Sequence, residues 1–350
     1  MALWGYAKEK IEQNAAKRAL NQDPQGQGDD DSQVREESYI LLLGGRASGK
    51  TSLILRFLDR DEQTKPTIAL EYTYGRRTKG NTKEVGHIWE LGGGINLLSL
   101  LDSVITAEAI EQLSLVLMLD LSQPDQLWTI LDTCLNHVRS KFQKLIDGNR
   151  DLNEKLMKKA WTRLGADCQD REFIKPFPVP LAIVGGKYDI FQEFDPEKRK
   201  LITRTLRFVA HTNGVSLQFF SLKIDSLVTR GRALISHFIF NTAASKGLVT
   251  DHTKPLFVPA GADSLQDIGP PPSADSGQIS GSTPLDLWKN AFCEYYPQKT
   301  MKIDAVDDPA KDPQYKEEAI DLLRAQKDQE LEKYIRQRAR MEATKENGLD

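Results

Sequence analysis

A glycine-rich stretch decides the fold of this chain: Gly44-Gly45-Arg46-Ala47-Ser48-Gly49-Lys50-Thr51, directly after the apolar run Tyr39–Leu43. Two of its glycines lie five positions apart and are followed by lysine and threonine, which is the spacing of a phosphate-binding loop between a strand and a helix. Glycines let backbone N–H groups curve around an anion, while Lys50 can reach terminal phosphates and Thr51 can ligate Mg²⁺. We therefore predict that residues 44–51 bind a nucleotide. The alternative is an ordinary glycine-rich turn.

The composition narrows the class of protein. The net charge of −3 over 350 residues provides no basic field for nucleic acid or anionic lipid. Three widely spaced cysteines, Cys134, Cys168 and Cys293, indicate reduced thiols rather than a disulfide framework or a zinc site. The five histidines are scattered singly, which argues against a metal site built from them. No apolar run is long enough to span a membrane and the N-terminus lacks a signal-peptide core, so we expect a soluble intracellular protein without membrane insertion.

Buried apolar runs alternate with helical patterns between about residues 38 and 240. This alternation predicts an α/β fold with a doubly wound, mainly parallel sheet covered by helices on both faces. The predicted strands are Tyr39–Leu43, Thr67–Tyr74, Val85–Leu91, Leu113–Asp120, Leu181–Gly185 and Ser216–Ser221. The predicted helices include Lys50–Asp59, Pro124–Ile146 and Pro196–Asn213. Ligands of such sheets bind beyond the carboxyl ends of the strands, where the phosphate-binding loop would lie.

The chain divides into four predicted parts. Residues 1–37 are an N-terminal helix and a polar linker, and residues 38–258 are a P-loop domain of the small-GTPase kind with a helical insertion at about 136–180. Residues 259–284 are too rich in Pro, Gly and Ser for regular structure. Residues 285–350 form a helical C-terminal extension, whose long charged helix is either solvated or binds a partner.

Apolar side chains outside the α/β pattern are candidates for contacts with another chain. The insertion carries Phe142, Leu145, Leu152, Leu156 and Trp161, and we interpret it as a surface for a partner rather than a catalytic lid. Leu285, Trp288, Phe292 and Tyr295 fall on one stripe of a helix that begins at Thr283-Pro284. We expect Trp288 and Phe292 to pack on the domain's own core.

Two segments are similar to the switch regions of small GTPases. In Trp89-Glu90-Leu91-Gly92-Gly93-Gly94, Glu90 takes the place of the aspartate that holds Mg²⁺, and Gly94 takes the place of the glutamine that orients the attacking water. Glycine has no side chain for that task, so hydrolysis is not expected. Thr67 follows a proline in a switch-like segment and is a candidate Mg²⁺ ligand with Thr51 and Glu90, while Thr73 is a second candidate. The alternative for this segment is an edge strand that begins at a proline.

Guanine recognition in this fold uses an Asn-Lys-x-Asp motif after the fifth strand. The chain has Gly185-Gly186-Lys187-Tyr188-Asp189 there, which keeps the lysine and the aspartate and lacks the asparagine. Asp189 can accept two hydrogen bonds from guanine, and the Lys187 stem can stack on the base. Ser221-Leu222-Lys223 follows the next strand, where these proteins have Ser-Ala-Lys. Weak motifs in the right order, each at a strand end, together favour a GTPase-like fold.

The chain resembles the dynein light intermediate chains over most of its length. The segments that carry the resemblance are Leu58–Asp61, Lys65–Arg77, Trp89–Gly94, Pro176–Pro180, Lys187–Asp189 and Arg204–His211. The short length and the segment Asp308–Tyr315 are similar to the dynein 2 branch, because the dynein 1 members carry a longer disordered tail.

The resemblance implies a non-catalytic motor subunit. Its expected partners are the cytoplasmic dynein 2 heavy chain, whose tail it would bind, other dynein 2 subunits and intraflagellar transport trains, in the cytoplasm and the cilium. The expected cofactor is GTP or GDP with Mg²⁺, or the site is empty. A regulatory switch that binds and slowly hydrolyses GTP is the alternative, and an ATP-dependent P-loop enzyme is disfavoured because Lys187 and Asp189 suit guanine.

Overall fold

The computed structural model describes residues 37–79, 82–166, 168, 170–271, 283–299 and 317–346. A seven-stranded sheet with the order β2-β3-β1-β4-β5-β6-β7 forms its centre. Its strands are β1 (Glu37–Gly44), β2 (Leu70–Lys79), β3 (Thr82–Leu91), β4 (Leu113–Asp120), β5 (Leu181–Gly186), β6 (Ser216–Phe219) and β7 (Phe257–Val258). Only the two edge strands are antiparallel to their neighbours, so the predicted mainly parallel sheet is confirmed.

Helices cover both faces of this sheet. They are α1 (Lys50–Phe57), α2 (Pro124–Ile146), α3 (Arg150–Leu164), α4 (Tyr188–Phe191), α5 (Pro196–Thr212), α6 (Asp225–Phe240), α7 (Leu265–Ile268), α8 (Pro284–Tyr295) and α9 (Glu318–Glu346), with 3₁₀ turns at Gly94–Ser103 and Ile110–Gln112. Successive strand residues point to opposite faces. Leu41 and its neighbours on that face pack in a large core with α2 and α5, whereas Leu42 packs in a smaller core with Ile54 of α1 and Ile235 of α6. The sheet is therefore doubly wound, as predicted.

Several predicted strand limits differ from the structure. β1, β3, β5 and the end of β2 extend beyond the predicted limits, whereas the start of β2 and the end of β6 lie inside them. β2 begins at Leu70 instead of Thr67, because Pro66 cannot donate to the ladder and the residues up to Thr67 fold over the end of β3. The Gly92 amide, which follows β3, donates to the Ala69 carbonyl at 2.6 Å, and this hydrogen bond holds the segment before β2 against the end of β3. β6 ends at Phe219 instead of Ser221, because the Phe220 carbonyl accepts from the Tyr188 amide at 3.1 Å and so leaves the ladder.

The segment interpreted as a partner-binding insertion is part of the domain's own core. It consists of the last part of α2, then α3 and a connection to β5. Phe142 and Leu156 are each 1% exposed in the large core, and Trp161 packs against Leu164 and Ile174 in a small separate cluster. Phe142 and Leu156 are therefore not available to another chain, whereas Leu145, Leu152 and Trp161 are only partly buried.

The C-terminal extension divides into a docked helix and an exposed one. In α8, Trp288 and Phe292 are buried as expected, but Leu285 and Tyr295 are 42% and 62% exposed, so the predicted stripe is only half buried. Trp288 stacks on Phe208 of α5, with ring centroids 5.2 Å apart. The large apolar side chains described along α9 are all exposed. The predicted N-terminal helix and polar linker, and residues 272–282 of the Pro-rich segment, lie outside the described residues.

Candidate nucleotide site

The predicted phosphate-binding loop connects β1 to α1 at the carboxyl edge of the sheet. Gly44 has a φ of 136° and lies against the Met118 carbonyl oxygen, so a side chain there would collide with the neighbouring strand. Gly49 has a φ of 100°, which glycine adopts readily because it lacks a Cβ atom, and Ala47 has a left-handed φ of 52°. This alternation of conformations curls residues 44–49 into a loop in front of the first turn of α1.

The polar side chains of the loop converge on one carbonyl. Lys50 Nζ donates to the Gly45 carbonyl oxygen at 2.7 Å, and Ser48 Oγ donates to the same oxygen at 2.9 Å. Lys50 is 5% exposed, and this burial lowers its pKa, although the nearby Glu90 carboxylate acts in the opposite direction. A buried ammonium at the N-terminus of a helix is the arrangement that binds the phosphates of a nucleotide.

The three predicted Mg²⁺ ligands are brought together beside this lysine. Thr51 Oγ1 donates to Glu90 Oε1 at 2.7 Å and lies 3.4 Å from Thr67 Oγ1. Burial raises the pKa of Glu90, while the hydrogen bond from Thr51 and the charge of Lys50 partly offset that rise. One carboxylate and two hydroxyls are hard oxygen donors of the kind that Mg²⁺ takes together with phosphate oxygens. Thr73, the second candidate, instead lies within β2 opposite Ile88.

A cavity of about 420 Å³ lies between the phosphate-binding loop and the segment that precedes β2. Its lining comprises Arg46–Ser52, Thr64–Thr67, Glu90, Gly92 and Gly93. Gly92 lies directly under the Thr67 backbone, and a Cβ atom there would collide with the Thr67 carbonyl. The glycines after β3 therefore allow the Thr67 segment to close one wall of the cavity.

The four residues predicted to recognise guanine lie together at the ends of β5 and β6. Ser221 Oγ donates to Asp189 Oδ1 at 2.7 Å, and Lys223 Nζ pairs with Asp189 Oδ2 at 2.8 Å. Burial alone would raise the pKa of Asp189, but the hydrogen bonds from Lys223 and Ser221 outweigh it and hold the pKa below its ordinary value. Asp189 is thus an oriented, ionised acceptor. Because Lys223 is 76% exposed, it can move aside for a base at little cost.

Sequence reasoning missed Asp120, which pairs with the base-recognition loop, the loop at residues 186–189 that is predicted to recognise the base. This buried residue ends β4, and its Oδ2 pairs with Lys187 Nζ at 2.6 Å while its Oδ1 accepts from Ser122. Lys187 has a left-handed φ of 59° at the start of α4, and its ion pair with Asp120 ties this turn to the end of β4. An acidic residue at the end of an otherwise apolar strand, at the same sheet edge as the glycine loop, was the available signal.

The position of the missing asparagine of the guanine motif has no room for a side chain. Gly186 occupies its place, and a Cβ atom on Gly186 would lie 2.6 Å from the Ser48 carbonyl oxygen. The base-recognition loop and the phosphate-binding loop therefore meet backbone to backbone, with no room for a side chain between them. The Lys187–Asp120 pair and the bond from the Tyr188 amide to the Phe220 carbonyl brace the base-recognition loop instead.

Within the residues that the structure describes, no group of three His, Cys, Asp or Glu side chains is arranged to hold a metal ion. No described helix is both long enough and apolar enough to cross a membrane.

The mainly parallel sheet, the glycine loop between β1 and α1 and the paired loops after β5 and β6 define the class as an α/β domain of the P-loop type. The sequence profile of the family described as "Dynein light intermediate chain (DLIC)" matches residues 25–177. The chain belongs to the dynein light intermediate chain family.

Several relatives match nearly the whole chain. It is 46% identical over 343 residues to the "Cytoplasmic dynein 2 light intermediate chain 1" of Rattus norvegicus, covering 95% of each protein. It is 43% identical over 345 residues to the protein of the same name from Danio rerio, covering 97% of this chain and 95% of that protein. Among solved structures, the "Crystal Structure of the Dynein Light Intermediate Chain's Conserved Domain" matches with a TM-score of 0.52 and 17% identity, over 79% of this chain and 93% of that one. This last likeness supports the fold.

Proposed function

We propose that this chain is a non-catalytic light intermediate chain of a cytoplasmic dynein 2 motor. In this role it binds the tail of the heavy chain and supports retrograde intraflagellar transport and cilium assembly, in the cytoplasm and along the axoneme and basal body. The observation that carries the proposal is the 46% identity over 95% of both chains to a protein named as such a light intermediate chain. Identity that extends through both terminal regions favours a shared role and not only a shared fold.

The site supports binding without turnover. Gly94 lies where a hydrolysing relative needs a side chain to orient water, so the attacking water has no positioned partner there. Lys50, Thr51, Thr67 and Glu90 would hold the phosphates and Mg²⁺ of GTP or GDP, and Asp189 would accept from the base. Such a nucleotide stabilises the folded domain by mass action. The P-loop domain then acts as a scaffold for the motor.

The test of the proposed role is association with the heavy-chain tail. Tagged full-length chain is expressed in ciliated cells, captured and analysed by mass spectrometry. We expect the dynein 2 heavy chain and its other subunits in the captured material, and we expect depletion of the chain to shorten cilia. Capture of dynein 1 heavy chain in place of dynein 2, or normal cilia after complete depletion, would contradict the proposal.

A regulatory GTPase switch is the second candidate, and the position of Thr67 over Thr51 favours it, since a threonine there can sense a nucleotide-bound Mg²⁺. Two measurements separate the candidates. Denaturing the purified protein and separating the released small molecules by chromatography identifies any bound nucleotide. Single-turnover phosphate release at the rate of an ordinary small GTPase would support the switch and exclude the non-catalytic scaffold.

A further inference from the structure

Arg46 is a cation of the phosphate-binding loop without an assigned task. It is exposed, lines the cavity with Lys50, and makes no hydrogen bond or ion pair to any residue that the structure describes. Of the other charged groups that line the cavity, Lys50 donates to Gly45 and Glu90 accepts from Thr51, while Lys65 is a second exposed cation on the segment that precedes β2. An unpaired guanidinium beside a phosphate-binding loop is available to an anionic ligand.

The position of Arg46 relative to Gly94 is specific. A Cβ atom on Gly94 would lie 3.3 Å from Arg46 Cγ, which is tighter than ordinary van der Waals contact, and 3.4 Å from the Arg46 amide nitrogen. Gly94 also has a left-handed φ of 67°. A glutamine at this position would therefore meet the stem of Arg46. The arginine occupies the neighbourhood in which a hydrolysing relative places its water-orienting side chain.

The orientation of a bound nucleotide follows from what the two ends of the phosphate-binding loop contact. The Ser48 end touches Gly186 and thus the base-recognition side, where Asp189 and Lys187 lie. The Arg46 end touches Gly94 on the opposite side. A nucleotide with its base at Asp189 and its phosphates along the loop places its terminal phosphate at the Arg46 end.

We propose that Arg46 binds the terminal phosphate of a guanosine triphosphate and makes the site selective for the triphosphate over the diphosphate. This inference rests on the proposed nucleotide binding. Arginine presents a planar set of donors that matches two phosphate oxygens. This contact stabilises the bound triphosphate and not the transition state of its hydrolysis. Gly94, the neighbour of Arg46, cannot position water. The pair Arg46 and Gly94 therefore favours retention of the triphosphate over its hydrolysis.

The test compares two nucleotides on two matched variants of the full-length chain. The protein is freed of nucleotide, and titration calorimetry with Mg²⁺ measures the affinity for GDP and for the non-hydrolysable guanosine β,γ-imidotriphosphate. We expect the wild-type chain to prefer the triphosphate, and Arg46→Gln to weaken triphosphate binding by about 10- to 100-fold, the usual loss of a hydrogen-bonded charged group. GDP affinity is expected to change by less than about threefold, because GDP lacks the terminal phosphate.

The control variants distinguish the loss of the Arg46 guanidinium from the loss of any positive charge on the protein. Arg56→Gln removes an exposed arginine of α1 whose ion pair among the described residues is with Asp61 at the surface, so it should leave both affinities unchanged. Arg46→Lys keeps the charge without the planar donors and should fall between wild type and Arg46→Gln. Melting curves confirm that each variant is folded, which is expected because Arg46 is exposed.

The outcomes distinguish this inference from the proposed nucleotide site. Equal affinity of the wild-type chain for the two nucleotides, or an equal loss for both in Arg46→Gln, overturns the role of Arg46 while nucleotide binding stands. Binding of neither nucleotide to the wild-type chain overturns both.

Discussion

The substitution Trp288→Ala tests whether α8 belongs to the domain core or to a partner interface. Trp288 is 2% exposed, stacks on Phe208 with an interplanar angle of 22°, and has the Arg204 guanidinium 5.7 Å from its ring centroid. These contacts lie within the chain. We therefore expect the substitution to lower the free energy of unfolding and to leave the partner-binding surface in place.

The magnitude follows from the buried area. An aromatic side chain of this size buries about 150–250 Å², which at about 25 cal/mol per Å² corresponds to roughly 4–6 kcal/mol. Measured losses for core Trp→Ala substitutions are about 3–5 kcal/mol, and we expect a value in that range. At roughly 2–4 °C per kcal/mol, the melting temperature should fall by on the order of 10 °C.

The assay is a melting curve by circular dichroism with co-precipitation of the heavy-chain tail at a temperature at which both proteins are folded. Tyr295→Ala is the matched control, since Tyr295 lies on the same helix and is 62% exposed; its unfolding free energy should change by less than about 0.5 kcal/mol. An unchanged melting temperature for Trp288→Ala would refute the packing argument. Weaker co-precipitation at unchanged stability would assign Trp288 to the interface.

Four further predictions follow from the same structure. Intrinsic GTP hydrolysis should be negligible in a single-turnover phosphate-release assay because Gly94 cannot orient water, and a rate typical of small GTPases would contradict this. Lys50→Ala should reduce nucleotide occupancy or the melting temperature more than heavy-chain binding, whereas clean loss of heavy-chain binding from a folded variant would show regulation by the nucleotide. Trp4→Ala, outside the described residues, should weaken co-precipitation with the heavy-chain tail and leave the melting curve unchanged; full binding would make that residue dispensable. Burial raises the pKa of Cys134 to about 12, so iodoacetamide at pH 8 should leave this free thiol unmodified in the native protein and modify it after unfolding, as peptide mass spectrometry would show.

The proposed Arg46 role and the scaffold role are compatible. A site that retains its triphosphate keeps the Thr67 segment and the loops around it in one arrangement, which stabilises a subunit whose surface must stay constant. Under this proposal the nucleotide is a structural part of the domain. The nucleotide affinities of the Arg46 variants test whether the triphosphate is retained. The single-turnover assay tests whether it is hydrolysed.

Local spacing was sufficient to predict the phosphate-binding loop. A loop of this kind depends on backbone conformations available to glycine at positions such as Gly44 and Gly49, and on a lysine one residue into the helix, all of which are short-range features. The apolar runs of β1 and β4 likewise predicted a sheet buried on both faces, because strands covered on both faces are nearly continuous in apolar residues. The order of the weak motifs then placed Glu90, Asp189 and Ser221 at one edge.

Only the tertiary structure decided what these residues contact. The ion pair of Lys187 with Asp120 joins two residues that are 67 positions apart in the sequence. The close approach of Gly186 to the Ser48 carbonyl leaves no room for the asparagine side chain that the guanine motif has at this position. Phe142 is a core residue and Tyr295 an exposed one although both lie in amphipathic helices, because burial depends on which face the neighbouring elements cover. A periodic pattern records that a face is apolar. The packing of distant segments determines whether the domain itself or another chain covers it.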